Sequence, residues 1–323
     1  MVKGTGGMKN SNGGMVADWE DKHGRQFGAE TIQLTHRLQE TGLFTRSAIA
    51  DLIDRYPREL YGLNTMGGDA STKEWREGEI GNHSGVDVIS AIENGRMWLN
   101  LRQLMDVDKN YGEVLKSIFS EFETRLPGLN TYKHSMGLLV SSPNVQVYYH
   151  CDVPGQMLWQ LEGKKRIYIY PTKETFLPRE ALESVIIGET EEEIPYQKRF
   201  DDFAEIYDLE PGQMLHWPLN GPHRVENKDC LNISVTTEHW TKEIRNSYAV
   251  NYANGVLRRS LGYAARSNSP SGAHVYAKAA LTLLCKKTGW NKARKFQPFI
   301  DFTIDPNMKN GIADIARKPL IYG

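Results

Sequence analysis

Cysteine is scarce in this chain: Cys151, Cys230 and Cys285 among 323 residues, with no CxxC pair. An odd, scattered set excludes a disulfide framework and fits reduced thiols in a cytoplasmic protein. Long apolar runs are missing as well. No stretch approaches the roughly 18 residues of a membrane span, and no basic segment followed by an apolar run opens the chain. Neither a membrane helix nor a secretory leader is therefore expected. Nor is there an excess of one charge. Lys and Arg number 39 against 40 Asp and Glu, a formal net charge of -1, which gives no overall pull toward nucleic acid. What remains is 40% hydrophobic and 10% aromatic, ordinary for a packed globular protein of one large domain with appendages or two small ones.

The first 15 or so residues are Gly-rich and carry no periodic apolar positions, so a flexible tail is expected. Helical patterning is expected from near Ala29, with Ile32, Leu34 and Leu38 as its apolar positions. A second helix is expected over 47–56, where Ile49, Leu52 and Ile53 share a face and Pro57 follows. Loop composition covers 65–85, and further helices are expected over 86–94, ended by Gly95, and from about 111 to 125. The middle of the chain then changes character. Short β-branched or aromatic runs at 137–142, 145–149, 157–161, 166–170, 213–217, 223–226 and 231–238 alternate with Pro, Gly and Asn turns. Many short strands at this spacing predict a sandwich or jelly-roll barrel. Between them an insertion, about 172–206, carries Glu189, Glu191, Glu192 and Glu193, which read as a solvated face. Helical signals return near Thr241. The stretch 273–287, ended by Gly289, is amphipathic, and Lys286, Lys287, Lys292, Arg294 and Lys295 form a basic cluster read as a solvated helix end.

Of nine histidines, only His150 has a carboxylate two positions on, at Asp152. On a strand, residues i and i+2 face the same side, so the two can aim at one point while Cys151 faces away. The 145–149 run is a convincing strand and Pro154-Gly155 ends it, which places the pair at a barrel mouth. Two imidazoles and one carboxylate on one face of an octahedron are the ligand set of non-haem Fe(II) oxygenases. A third ligand is then needed. His223, at a loop-to-strand junction, is favoured; His216 competes, and His239 is more remote.

The segments HCDVPGQMLWQLEGKKRIYIYP at 150–171 and LEPGQMLHWPLNGPHRVEN at 209–227 resemble the core of JmjC/cupin-like hydroxylases, over about residues 137–240. The resemblance implies a double-stranded β-helix (jelly-roll/cupin) barrel; with the helical patterning that flanks it, the expected fold is a mainly β core with α flanks, N-terminal helices and a helical C-terminal subdomain. Together with the composition and patterning along the chain, a flexible tail (1–25), a JmjC/cupin-like catalytic domain (26–245) and a helical C-terminal subdomain (246–323) are expected. The resemblance implies bound Fe(II), 2-oxoglutarate as co-substrate and O2, with His150, Asp152 and His223 as metal ligands. Lys165 matches the lysine that pairs with the far carboxylate of 2-oxoglutarate, and Lys164 then points to the opposite face. Thr236 and Asn232, which alternate with Ser234 along the last strand, are ranked first as further contacts to it. The family often has a Thr or Tyr shortly before the first His. Val147 stands there instead, which leaves Tyr132 and Tyr148 as candidates.

Trp98, Asn100 and Arg102 share one face of a strand at 95–102 and are candidate substrate residues, as are Trp159 and Trp217 near the barrel mouth. The expected reaction is hydroxylation, or demethylation if the attacked carbon is N-methyl, of a small molecule, peptide or protein. No nucleic-acid or membrane partner is expected, and a homodimer through the C-terminal helices is. Two other readings stand beside it: a cupin-like binding or regulatory protein, and a cupin enzyme that uses its metal without 2-oxoglutarate.

Overall fold

A computed structural model describes residues 13–66, 75–265, 267–290, 299–308 and 310–320. In chain order, α1 (Asp21–Gln26) precedes β1 (Ile32–Thr35), and α2 (Arg46–Ile53) precedes β2 (Tyr61–Thr65) and β3 (Glu77–Glu79). Then come α3 (Gly85–Asn94), β4 (Met97–Leu101), α4 (Leu104–Val107) and α5 (Lys109–Arg125). The strands β5 (Tyr132–Ser141), β6 (Gln146–His150), β7 (Gly155–Glu162) and β8 (Lys165–Ile169) follow without a helix between them. Helix α6 (Arg179–Ile187) interrupts before β9 (Glu205–Leu209), β10 (Gln213–His216), β11 (His223–Asn227) and β12 (Asn232–Trp240). The chain ends with α7 (Lys242–Leu261), α8 (His274–Thr288), β13 (Phe299–Ile304) and β14 (Ile312–Pro319).

Two sheets form: a large one in the order β1-β10-β7-β12-β5-β4-β2-β3-β13-β14, and a small one in the order β6-β11-β8-β9. Their inner faces meet. Leu158 and Leu215 of the large sheet pack with Ile167, Ile169 and Leu209 of the small one, beside Leu139 and Val225. The period of two along each strand sends alternate residues to opposite faces. Ile233 and Val235 of β12 therefore turn outward from the sandwich. There they meet α5, whose Val114, Ile118, Phe119 and Phe122 are buried in the same cluster. Each such side chain contributes roughly 1.5–3 kcal/mol on burial, so this outer core fixes the large sheet on which much of the site is built.

Local signals explain most helix starts. Thr45, Ser84 and Thr241 accept hydrogen bonds from the backbone N–H groups of Ala48, Asp87 and Ile244, supplying N-caps to α2, α3 and α7. Gly289, at φ 69°, closes α8 in the left-handed conformation that glycine adopts without a Cβ penalty.

Three expectations need correction. The helix expected from Ala29 is strand β1, antiparallel to β10 with Ile32 opposite His216. Ile32 and Leu34 are buried while Gln33 and Thr35 are exposed, a period of two that the sparse apolar positions had disguised as helical. The tail expected over 1–25 is packed from residue 13 onward: Val16 is buried and bridges to His36, and α1 lies within the same span. Residues 1–12 of it lie outside the described residues. The C-terminal segment is not purely helical. After α7 and α8 pack together, β13 returns to the large sheet, parallel to β3 and antiparallel to β14. Phe302 and Ile304 of β13 are fully buried in the main core, so this end of the chain is part of the same body as the sheet. Phe302 lies opposite Gly78, where a Cβ would meet its ring at 2.4 Å. A boundary at 246 would also cut α7. Of the basic cluster, Lys286 lies over the Tyr248 ring at 4.3 Å, while Lys292, Arg294 and Lys295 lie outside the described residues. Among the described residues no helix is long and apolar enough to cross a membrane.

Candidate metal centre

His150 is the last residue of β6 and His223 the first of β11, and the antiparallel register sets them directly opposite one another. Their ring centroids are 4.0 Å apart. Asp152 follows on the turn into β7, and its Oδ2 lies 3.5 Å from His223 Nε2. All three residues are buried, and one ligand atom from each lies within 4.8 Å of the others. Among the described residues this is the only group of three or more His, Cys, Asp or Glu so gathered.

Both imidazoles are oriented by the same local device. His150 Nδ1 donates to the Tyr148 carbonyl at 2.8 Å, and His223 Nδ1 donates to the Gly221 carbonyl at 2.9 Å. A carbonyl only accepts, so each ring is held in the tautomer whose lone pair sits on Nε2. Backbone support of this kind orients the ligands of metal sites. Asn220 sets the third group. Its backbone is left-handed at φ 55°, and its Nδ2 donates to the Asp152 carbonyl at 2.6 Å, tying the Asp152 turn to the loop that delivers His223.

Without a cation the centre is electrostatically unfavourable. Burial raises the Asp152 carboxyl well above the usual carboxylate range, the nearby negative charges of Glu192 and Glu238 raise it further, and a hydrogen bond from Gln156 pulls the other way. Burial, with His150 alongside, lowers His223 well below the usual imidazole range. Two neutral imidazoles and a carboxylate in a dry recess are a donor set that a divalent cation satisfies, since its charge reverses the penalty on Asp152. The residues fit a metal ion.

The other histidines do not compete. His216 accepts the Gly28 N–H at Nε2 (3.1 Å) and donates from Nδ1 to the Gln156 carbonyl (2.8 Å), so both ring nitrogens are committed. His239 is buried on the outer face among Phe27, Phe119 and His216. Cys151 points away into the cluster around Tyr149, Tyr170 and Ile194, as strand alternation requires.

A cavity of about 130 Å³ opens beside the triad between the two sheets. Its walls include Leu139, Leu158, Ile167 and Val225, with Lys165 at β8 and Asn227 opposite it at β11. Lys165 is 4% exposed and no carboxylate of the described residues pairs with it, while Lys164 next door reaches out to Glu210 at 2.6 Å. Burial pushes the Lys165 ammonium down to about 7. A buried cation with no carboxylate paired to it among the described residues is costly, and an anion seated against it in that cavity would relieve the cost.

The remaining predicted residues divide. Thr236 lines the cavity, and so do Trp98, Asn100 and Trp217. Arg102 lines the adjoining outer chamber, with Tyr148. Asn232 shares the inner face of β12 but is removed from the cavity. Its Oδ1 accepts from Gln160 at 2.8 Å and its Nδ2 donates to the Cys230 carbonyl at 2.9 Å, while Ser234 donates to Gln160 at 2.7 Å. Trp159 is on the wrong face: it is fully buried against α5 and His36, and its indole donates to Thr237 at 2.9 Å. One step along a strand reverses the side, and Leu158, not Trp159, faces the site. Tyr132 donates to the Thr241 carbonyl, away from both chambers.

Sequence reasoning missed Asn220, Gln156, Asn227, Glu192 and Glu238. Glu238 was legible, because it continues the 232, 234, 236 alternation by one step. Glu192 belongs to an acidic run whose composition reads as a solvated face. It is exposed, but the backbone of that run bridges to His150 and so brings it to the cavity mouth. Glu189 of the same run pairs with Arg259 at 2.8 Å.

No family model matches the sequence, and no curated protein does. Among solved structures the fold is similar to Escherichia coli YcfD, at 16% identity and a TM-score of 0.47, covering 84% of this chain and 67% of that one. A second structure of that protein, described as a ribosomal oxygenase in complex with cobalt and 2-oxoglutarate, matches at 17% identity and a TM-score of 0.46, with the same coverage. What the centre of this chain can do follows from its own geometry.

Proposed function

We propose that the protein is an Fe(II)- and 2-oxoglutarate-dependent oxygenase, with His150, Asp152 and His223 as the metal ligands. The observation that carries this reading is Lys165. It is a buried lysine that no carboxylate pairs with among the described residues, and it lines the same narrow cavity as an oriented His–Asp–His set. A metal alone would need no such lysine; a dicarboxylate anchored on the metal at one end needs a cation at the other. The strand orders β10-β7-β12-β5 and β6-β11-β8-β9, with their inner faces in contact, support a double-stranded β-helix as the scaffold.

With Fe(II), 2-oxoglutarate and O2 bound, such a site supplies an oxidant able to break a substrate C–H bond while 2-oxoglutarate leaves as succinate and CO2. The chain's own residues do the rest. The Tyr148 and Gly221 carbonyls hold both imidazoles in the ligating tautomer, and Asn220 holds the Asp152 turn. Lys165 would receive the far carboxylate of 2-oxoglutarate, Thr236 lines the same cavity as a hydrogen-bonding group for the co-substrate, and Leu139, Leu158, Ile167 and Val225 give it apolar walls. The test is release of succinate from 2-oxoglutarate by the Fe(II)-loaded protein. The reading expects release that requires O2 and is lost in Lys165→Ala. Metal uptake without such turnover, or turnover indifferent to Lys165, contradicts it.

A further inference from the structure

The strand that carries His150 is an edge. In the order β6-β11-β8-β9, β11 covers one side of β6, and among the described residues no strand of that sheet covers the other. An edge presents N–H and C=O groups that need partners. Residues 192–194, on the connection after α6, supply them. Cys151 N–H donates to the Glu192 carbonyl at 3.1 Å, Ile194 N–H donates to the Tyr149 carbonyl at 3.5 Å, and Glu193 bridges to His150. The backbone on both sides of this histidine is therefore tied to the segment. Its bond to the Tyr148 carbonyl orients the imidazole on its own backbone, whereas the segment bears on where that backbone sits.

Two anchors hold the segment. At one end Ile194 is buried in the cluster of Tyr149, Cys151 and Phe200. At the other stands Glu189, just past Gly188, which closes α6 in the left-handed conformation at φ 79°. Arg259 of α7 grips this end. Its Nε and Nη2 donate to Glu189 Oε2 at 3.0 and 2.8 Å, Nη2 also donates to Ser184 Oγ at 2.6 Å, and Nη1 donates to Glu183 Oε2 at 3.2 Å. Charge-assisted bonds of this kind are the stronger class, and a guanidinium at the carbonyl end of α6 is favourably placed. Arg258 has a different task. Its Nε donates at 2.6 Å to the same Glu183, which is buried in the α6–α7 contact, and no bond joins Arg258 to Glu189 among the described residues. Neighbouring arginines thus separate helix packing from the grip on the segment.

We propose that Arg259 is a positioning residue for the metal centre: through Glu189 it holds residues 189–194 along β6 and so fixes the strand end that presents His150. The proposal rests on the reading of His150, Asp152 and His223 as ligands. Its test compares the full chain with Arg259→Ala, Arg259→Lys and Arg258→Ala by amide hydrogen exchange, Mn(II) titration and thermal midpoint. In Arg259→Ala, exchange at the Cys151 and Ile194 amides should quicken by about tenfold or more relative to Ile118 in α5, because local opening is read at the amides it frees. Mn(II) affinity should fall by about tenfold, the lower end for loss of a supporting contact. Arg259→Lys keeps the charge and should recover most of both. Arg258→Ala should lower the thermal midpoint while leaving Mn(II) affinity within about twofold. Should Arg259→Ala fail to fold, Glu189→Gln removes the same ion pair without changing size and is expected to give the same two changes. Loss of thermal stability in Arg259→Ala with Mn(II) affinity and Cys151 protection intact assigns a purely structural role and overturns the proposal. Equal weakening of Mn(II) binding by Arg258→Ala overturns it too. The two claims fail differently. Mn(II) binding that is undiminished in Arg259→Ala sinks the positioning role and spares the ligand reading, whereas a wild type that binds no Mn(II) sinks the ligand reading whatever the exchange shows.

Discussion

His150 and His223 stand opposite each other across the β6–β11 pair, and each ring is held by a hydrogen bond to the carbonyl two residues before it, that of Tyr148 or Gly221. Orientation therefore comes from the backbone and survives side-chain changes elsewhere. Replacing either histidine by Ala should weaken Mn(II) or Co(II) binding by more than about 100-fold, the upper end for loss of a supporting contact alone. His216→Ala should leave metal affinity within about twofold while lowering stability, since it removes a ring stacked 4.2 Å from Phe27 and not a ligand. Metal titration followed by spectroscopy or calorimetry reads both.

Asp152 gives a prediction with a definite sign. Its folded-state pKa is raised, by burial first and by Glu192 and Glu238 next. The folded protein therefore holds this proton more tightly than the unfolded chain does. Its contribution to stability is present at low pH and is lost as pH rises through the raised folded value. Asp152→Asn should accordingly raise the thermal midpoint of the metal-free protein at neutral pH and remove that loss. Added Mn(II) should stabilise the wild type and not the variant. Scanning calorimetry with and without metal decides it.

On the proposed reading, Lys165 should make 2-oxoglutarate binding depend on pH. With its ammonium pushed down to about 7 by burial, the ligand-free protein loses this charge as pH rises above neutrality. An anion needs the protonated form, so 2-oxoglutarate affinity should fall by up to about tenfold per pH unit above 7. Metal affinity should not follow it over that range. Lys165→Arg keeps the charge and should abolish the pH dependence, though a guanidinium fits a lysine-sized recess poorly. Affinities measured at pH 6.5 and 8.5 are sufficient.

Trp159 and Trp98 test the assignment of faces. Trp159→Ala should cost about 3–5 kcal/mol of stability, as expected when a fully buried aromatic is truncated, and should change 2-oxoglutarate binding by less than twofold once folding is accounted for. Trp98→Ala should do the converse: little stability lost, with substrate binding impaired. Denaturant unfolding beside ligand titration separates them.

The central strands were legible because their alternation, turns and β-branched residues agree, and the proposed ligands His150 and His223 sit at strand ends, with Asp152 two residues beyond the first. Lys165 was found through family resemblance, and its meaning came only with the cavity, since nothing local marks it as buried and unpaired. Three things were hidden. Trp159 depended on which face of β7 looks inward, and one residue of register reverses that. The strand at Ile32–Thr35 was too short for its period to be distinguished from a helix. Glu192 and β13 depended on contacts distant in sequence, to β6 and β3, which no local pattern records.

The most direct test is calorimetric titration of 2-oxoglutarate into the protein with and without Mn(II). The account predicts one site per chain that requires the metal, weakens as pH rises above 7 and disappears in Lys165→Ala. Binding that is indifferent to metal and to Lys165, or no binding to the metal-loaded protein, would contradict it.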